Sequence, residues 1–192
     1  MSDKQLETES TGHRPPASLL SRLFAYAADI LLLFAFVVAS QGLLLLSGLH
    51  PYQDAFGGGA QPAPADLHLW VLASTTLPFA AYFAISFASR RGATLGQRQF
   101  GLRVADRNGE RLGGGGAVLR ALVLLLPFEV NHAVMFHAAP WRGTSEAIFL
   151  AGLALVWLLS SLFVALPLLR RDRRSLHDLA CGSAVLVARQ RR

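Results

Sequence analysis

"AVLRALVLLLPFEVNHAVMF", residues 117 to 136, decides the fold, because the number of membrane crossings turns on whether this run makes one. It is long enough: a bilayer core about 30 Å thick needs about 20 apolar residues at about 1.5 Å rise each. It is also the weakest run of its kind in the chain, since Arg120, Glu129, Asn131 and His132 lie within it. Three cleaner runs surround it, Leu23 to Leu46, Leu67 to Phe87 and Ala147 to Leu169. With 53% hydrophobic and 16% charged residues and a mean hydropathy of +0.40, the 192-residue chain is too apolar for an ordinary soluble domain.

Positive charge decides whether residues 117 to 136 cross. Of the 18 Lys and Arg, three lie at or before Arg22, seven between Arg90 and Arg120, and seven from Arg170 onward, which leaves Arg142 alone elsewhere. If all four runs span, 17 of these groups fall on one side, as the positive-inside rule expects. The expected fold is therefore an all-α membrane protein with four transmembrane helices and both termini cytoplasmic. "VVAS" at 37 to 40 faintly resembles a signal-peptide cleavage site, but cutting there deletes a helix that the charge pattern requires, so the first helix is expected to be retained. The net charge of +6 and a pI near 10.7 are accounted for by topology and by a bilayer with anionic headgroups, and nucleic acid is not expected as a partner. A single cysteine, Cys181, excludes an intrachain disulfide and any multi-cysteine metal site.

Residues 1 to 16 are polar, end in Pro-Pro and are expected to form a disordered tail, with residues 17 to 192 making one membrane domain. Between the second and third helices, "FGLRVADRNGERL" (100 to 112) alternates apolar and polar residues and then turns at Asn108-Gly109, a strong hairpin dipeptide. "GSAVLVARQ" (182 to 190) alternates in the same way. A small cytoplasmic β-hairpin element is expected from these pieces. The glycines at 113 to 116 read as a flexible joint and not as a phosphate loop, since no Gly-Lys-Ser/Thr follows.

The polar residues inside the helices carry whatever chemistry there is. Arg22 and Asp29 stand two turns apart on one face of the first helix. Asp29 is expected near the cytoplasmic interface, paired with Arg22, Arg120 or the arginines near Asp178, in a network that locks the bundle to its cytoplasmic element. Its alternative place is on an ion pathway with Glu129, Asn131 and His132. Nine residues beyond Arg120, Glu129 lies about 13 Å deeper, where an ionised acid must be paired, wet or neutralised. His132 is three residues on, within side-chain reach, and Pro127 cannot donate to the carbonyl of Val123. This group suits either a proton relay or a cation site made with the Asn131 amide. It also suits a bonded pair that glues one helix to its neighbours. Glu-x-x-His occurs once here, whereas di-iron bundles need two such motifs and further glutamates, so no metal and no cofactor is expected. His50, His68 and His137 are expected to be solvated near the outer surface. Ser74-Thr75-Thr76 with Pro78, and Ser160-Ser161 with Pro167, read as packing and bending devices.

Three stretches together resemble the RDD family of bacterial membrane proteins. "LLSRLFAYAADILLLF" (19 to 34) is similar to its first helix, with Arg22 at the entry and Asp29 beyond it. "RGATLGQRQFGLRVADRNGERL" (91 to 112) resembles its cytoplasmic loop, and "RRSLHDLACGSAVLV" (173 to 187) its C-terminal His-Asp segment, which makes Asp178 the second aspartate. Leu95 stands where the family usually has proline, Gln97 where it has lysine, Leu179 where it has arginine and Ser183 where it has threonine. The resemblance implies a multi-pass protein of the bacterial cytoplasmic (inner) membrane that moves some ligand. Proton-coupled transport of a small cation or other small ligand is thus the leading functional expectation. Four helices are few for a carrier, so a homodimer is expected with it. A non-transporting scaffold or subunit acting through the cytoplasmic loop and C-terminus is the alternative. An enzyme is not expected, because no nucleophile and base with a stabilising third group is evident.

Overall fold

The computed structural model describes residues 16–60, 62–140 and 143–188. Of the tail expected over 1 to 16, only Pro16 is among them, and Arg142 and the residues from Arg189 onward also lie outside. The chain is mostly helical. The helices are α1 (Leu19–Leu46), the short α2 (Gln53–Phe56), α3 (Pro64–Val71), α4 (Leu77–Ala88), the short α5 (Leu95–Gln99), α6 (Gly114–His137), α7 (Glu146–Leu169) and the short α8 (Leu176–Ala180). A π turn, Leu72–Thr76, joins α3 to α4, and two strands, β1 (Leu102–Asp106) and β2 (Ser183–Val187), complete the fold.

Four helical runs, Leu19–Leu46, Pro64–Ala88, Gly114–His137 and Glu146–Leu169, are long and apolar enough to cross a membrane. Each starts one to four residues before the run read from hydropathy, at residues 19, 64, 114 and 146 against 23, 67, 117 and 147. Ser18 caps α1 by accepting the Ser21 N–H at 3.1 Å. Asp66 does not cap α3. The helix begins at Pro64, whose missing N–H costs nothing there, and Asp66 sits in the first turn, where its charge favours the helix dipole. The glycines expected as a joint are helical from Gly114 onward, with Gly113 at the cap. Gly113, Gly114 and Gly115 are exposed, and despite their poor propensity the glycines form the first turn of a helix that is anchored further on, by buried Ala117, Arg120 and Ala121.

The sheet is not the hairpin that Asn108-Gly109 suggests. The turn forms, with Gly109 at φ +78° donating its N–H to the Asp106 carbonyl at 3.1 Å, but the chain then enters α6. The partner of β1 is β2, antiparallel, in a register running from Leu102 opposite Val187 to Asp106 opposite Ser183. The physical reason is burial. The C-terminal strand brings Val185 and Ser183 against Val104, all fully buried, whereas the return arm of the turn runs into glycines and has no second apolar face to offer. The entry to α1 is stitched to the same sheet, since the Ala17 N–H donates to Val185 O at 3.0 Å and Pro16 bridges Leu186.

The protein core gathers at this sheet end, where Ala25, Phe87, Leu102, Ala117, Ala121 and Val185 form one buried apolar cluster. Elsewhere the helices expose leucine, phenylalanine and valine along their length, with Leu31 69% and Trp157 71% accessible. That is the surface a bilayer covers. The other end of the bundle, carrying α2, the start of α3 and the end of α6, is the distal end.

Candidate functional site

At the sheet end, α8 delivers Asp178 into the core. Ser175 caps this short helix. Its hydroxyl and its N–H both donate to Asp178 Oδ2, at 2.9 and 3.0 Å. The same oxygen pairs with Arg22 at 3.3 Å, and the other oxygen pairs with Arg120. Arg120 also donates to Ser183 Oγ at 2.6 Å, and its guanidinium lies 4.9 Å from the centre of the Phe87 ring. Arg120 and Asp178 are 0% accessible and Arg22 is 5%. Burial alone raises the Asp178 carboxyl, but Arg120 and Arg22 outweigh it and hold it well below the usual carboxylate range. Beside it, His177 is packed against Phe163 and bonded to the Tyr26 hydroxyl at 2.9 Å. Burial, reinforced by Arg120, pushes the His177 imidazole down to about 3, so the ring is neutral.

Asp29 takes no part in that network. Its carboxylate accepts from the Tyr82 hydroxyl at 2.6 Å, the Thr94 hydroxyl at 2.5 Å and the Gly96 N–H at 2.8 Å, so it holds the loop before β1 onto α1. Gly96 is required for this approach, because a Cβ there would stand 2.1 Å from the Ala25 carbonyl oxygen. Two departures from the family pattern fit the same construction. Gln97 closes a capping box on Thr94, its Oε1 accepting the Thr94 N–H at 3.1 Å, which a lysine, a donor alone, cannot do. Leu95 donates its N–H to the Tyr82 hydroxyl at 3.0 Å, which a proline cannot.

The second polar centre lies toward the distal end, on α6 and the α3 to α4 run. His132 Nδ1 is 3.2 Å from Glu129 Oε1, and His68 Nε2 is 3.3 Å from Oε2. Thr76 donates its hydroxyl to Glu129, and His68 Nδ1 in turn meets His137 Nε2 at 3.0 Å. A chain of exchangeable groups therefore runs from Thr76 through Glu129 and His68 to His137. It is partly open, with the Glu129 side chain 24% accessible and His68 and His132 each 25%. Among the described residues, no group of three or more His, Cys, Asp or Glu stands in an arrangement that could hold a metal ion.

Of the four residues expected on a pathway, the fold brings together Glu129 and His132 and separates the others. Asn131 is two residues on from Glu129, about 200° around the helix, and Asp29 is tied to the sheet-end loop. His68, expected to be solvated, is instead a partner of Glu129, whereas His137 reaches the acid only through His68 and stands exposed, as expected. His137 was legible on the helix, since eight residues place it about 80° from Glu129. Thr76 was not. Pro78 has no N–H for the Ser74 carbonyl, so the ladder slips to pairing five residues apart, with the Leu77 N–H reaching Leu72 O. That π turn aims Thr76 at α6. His50 also differs from expectation: it is 8% accessible, with its ring edge-on to Trp70 at 5.4 Å.

Between the two centres lies apolar packing. Leu33, Phe83 and Leu125 belong to the buried cluster and occupy the turns of α1, α4 and α6 that separate the sheet end from Glu129. No curated protein and no solved structure matches the chain. The family model described as RDD matches residues 16–182, a range that holds Arg22, Arg120 and Asp178 of one centre, the Glu129 group of the other and β1, and ends one residue before β2; the protein belongs to the RDD family.

Proposed function

We propose that this membrane protein moves protons in exchange for a small cation, with Glu129 as the titrating acid and His132, His68 and His137 as its relay. One observation carries this reading: a carboxylate in a membrane-spanning run whose ionic partners are imidazoles, which change charge near neutral pH, and not arginines, which do not. The arrangement is also partly open, so protons can reach it from the distal side. The proposal includes a bacterial inner-membrane location, both termini in the cytoplasm, and a cytoplasmic face that meets anionic headgroups. It includes a homodimer, and it is not an enzymatic reading.

Purified protein in liposomes with an internal pH dye tests it. Under imposed sodium, potassium or lithium gradients, wild type gives a cation-dependent pH change and Glu129→Gln gives none. Traces that do not depend on protein remove the proposal.

The layer of Leu33, Phe83 and Leu125 favours a second reading, a non-transporting membrane scaffold working through its cytoplasmic loop and C-terminus. Transport needs this layer to part, whereas a scaffold needs it closed. Under the scaffold reading Glu129→Gln is silent, and damage to residues 98 to 111 or 172 to 179 abolishes partner binding.

A further inference from the structure

A cavity of about 510 Å³ opens at the distal end, away from Glu129, between the last turns of α1 and the π turn. Its size falls within the roughly 300–1,000 Å³ usual for small-molecule sites. Val37 and Gln41 of α1 line one side, Trp70 and Ser74 the other, and His50 and Tyr52 of the following loop close it above. The three aromatic rings stand edge-on to one another. Trp70 lies 5.4 Å from His50 and 6.4 Å from Tyr52, and His50 lies 6.2 Å from Tyr52.

Two polar atoms in this wall are buried without a hydrogen-bond partner among the described residues, Gln41 Oε1 and Ser74 Oγ. Buried polar atoms left unpaired are costly and rare, and two of them lining one cavity mark a place where a partner is missing. Gln41 Oε1 can only accept, and Ser74 Oγ can do either, so the partner carries at least one N–H or O–H. No Asp, Glu, Lys or Arg lines the space, so nothing there compensates a formal charge on the occupant. The aromatic wall favours a flat body.

From this we infer that the cavity is a binding site for a small, neutral, planar molecule bearing an N–H or O–H donor, which Gln41 accepts and Ser74 completes. The sequence marks Ser74 only as a packing residue. Pro78 gives it a further use, because the π turn that aims Thr76 toward Glu129 leaves Ser74 on the wall of the cavity. The site stands whether or not Glu129 moves protons.

Fluorine NMR on the purified full-length protein with 5-fluoroindole as the probe tests the site. The expected result is a saturable bound signal that unlabelled indole displaces, with 1-benzothiophene, a planar bicycle of nearly the same size without the donor, about tenfold weaker or more. Ser74→Ala and Gln41→Met each weaken indole by about tenfold and leave 1-benzothiophene unchanged. Absence of saturable binding overturns the inference. So does equal displacement by indole and 1-benzothiophene, which means the cavity takes apolar matter such as a lipid chain without reading a donor. The wild-type comparison of the two bicycles decides the matter even if a variant does not fold.

Discussion

The two polar centres of this protein use similar acids in opposite ways. At the sheet end, Asp178 is 0% accessible and faces two arginines and a serine cap. Toward the distal end, Glu129 is 24% accessible and faces two imidazoles and a hydroxyl. A guanidinium keeps its charge at any physiological pH, so the first centre has one protonation state and acts as a lock. The second centre instead holds its carboxylate with imidazoles and a hydroxyl, groups that can both donate and accept a hydrogen bond, which is what the proposed relay requires. What surrounds the carboxylate, more than the carboxylate itself, separates the lock from the proposed relay.

If that contrast is right, the largest effect comes from opening the lock. Asp178→Asn leaves Arg22 and Arg120 buried without their counter-charge, and breaking such a buried pair costs about 3–5 kcal/mol. The variant should fail to accumulate in membranes, or should unfold far below wild type in a thermal melt in detergent. A wild-type melting curve would refute the lock.

Gly96→Ala ranks next. The new Cβ would meet the Ala25 carbonyl oxygen at 2.1 Å and the Asp29 carboxylate carbon at 2.9 Å, so α5 must back away from α1 and loosen the two hydrogen bonds that Thr94 and Gly96 give Asp29. Overpacking of this kind costs about 1–3 kcal/mol. Thermal unfolding should fall accordingly, and faster proteolysis of the loop before β1 should accompany it.

These sites differ in how far the sequence reveals them. Hydropathy and the placement of arginines suffice for the four long helices, because a bilayer imposes length and apolarity on each run separately. The partnership of Arg22, Arg120 and Asp178 is partly legible, since like elements must compensate one another's charge on one side of the membrane. What Asp29 binds is not legible, because its donors, the Gly96 N–H and two hydroxyls, carry no charge to announce themselves. That residues 100 to 112 and 182 to 190 build one small β element is legible in their alternation, and the two antiparallel strands bear it out. That they pair directly, leaving Asn108-Gly109 as a turn without a hairpin, is not legible, because it depends on burial between segments about 80 residues apart. Nor is the role of Thr76, whose direction depends on a π turn that shifts every helical position before Pro78. Pairings through backbone and hydroxyl groups are set by tertiary packing, and a periodic pattern does not encode them.

A smaller effect separates the two centres by pH. His177 has its imidazole pushed from 6.5 down to about 3, so below pH 6.5 the unfolded chain takes up a proton that the folded chain refuses. Stability is full above that value and falls as the pH drops, by about 1 kcal/mol between pH 6.5 and 5.5. The Asp178 carboxyl, held low, adds its own loss only below its unfolded value, about 4. His177→Gln should flatten the curve between pH 6.5 and 5.5, measured by denaturation in detergent at several pH values. A wild-type stability that is flat over that range would mean the ring is not sealed from water.

The smallest effect on stability belongs to Glu129→Gln, and that smallness is the point. An amide keeps the hydrogen bonds to Thr76 and one imidazole, and side-chain hydrogen bonds between membrane helices are worth about 1 kcal/mol or less. The variant should therefore melt within about 1 kcal/mol of wild type while it loses any proton movement that wild type supports. If Glu129→Gln instead destabilises as severely as Asp178→Asn, the two centres are alike. The imidazoles then serve Glu129 as the arginines serve Asp178, and the distal chain of groups is a second lock in place of a relay.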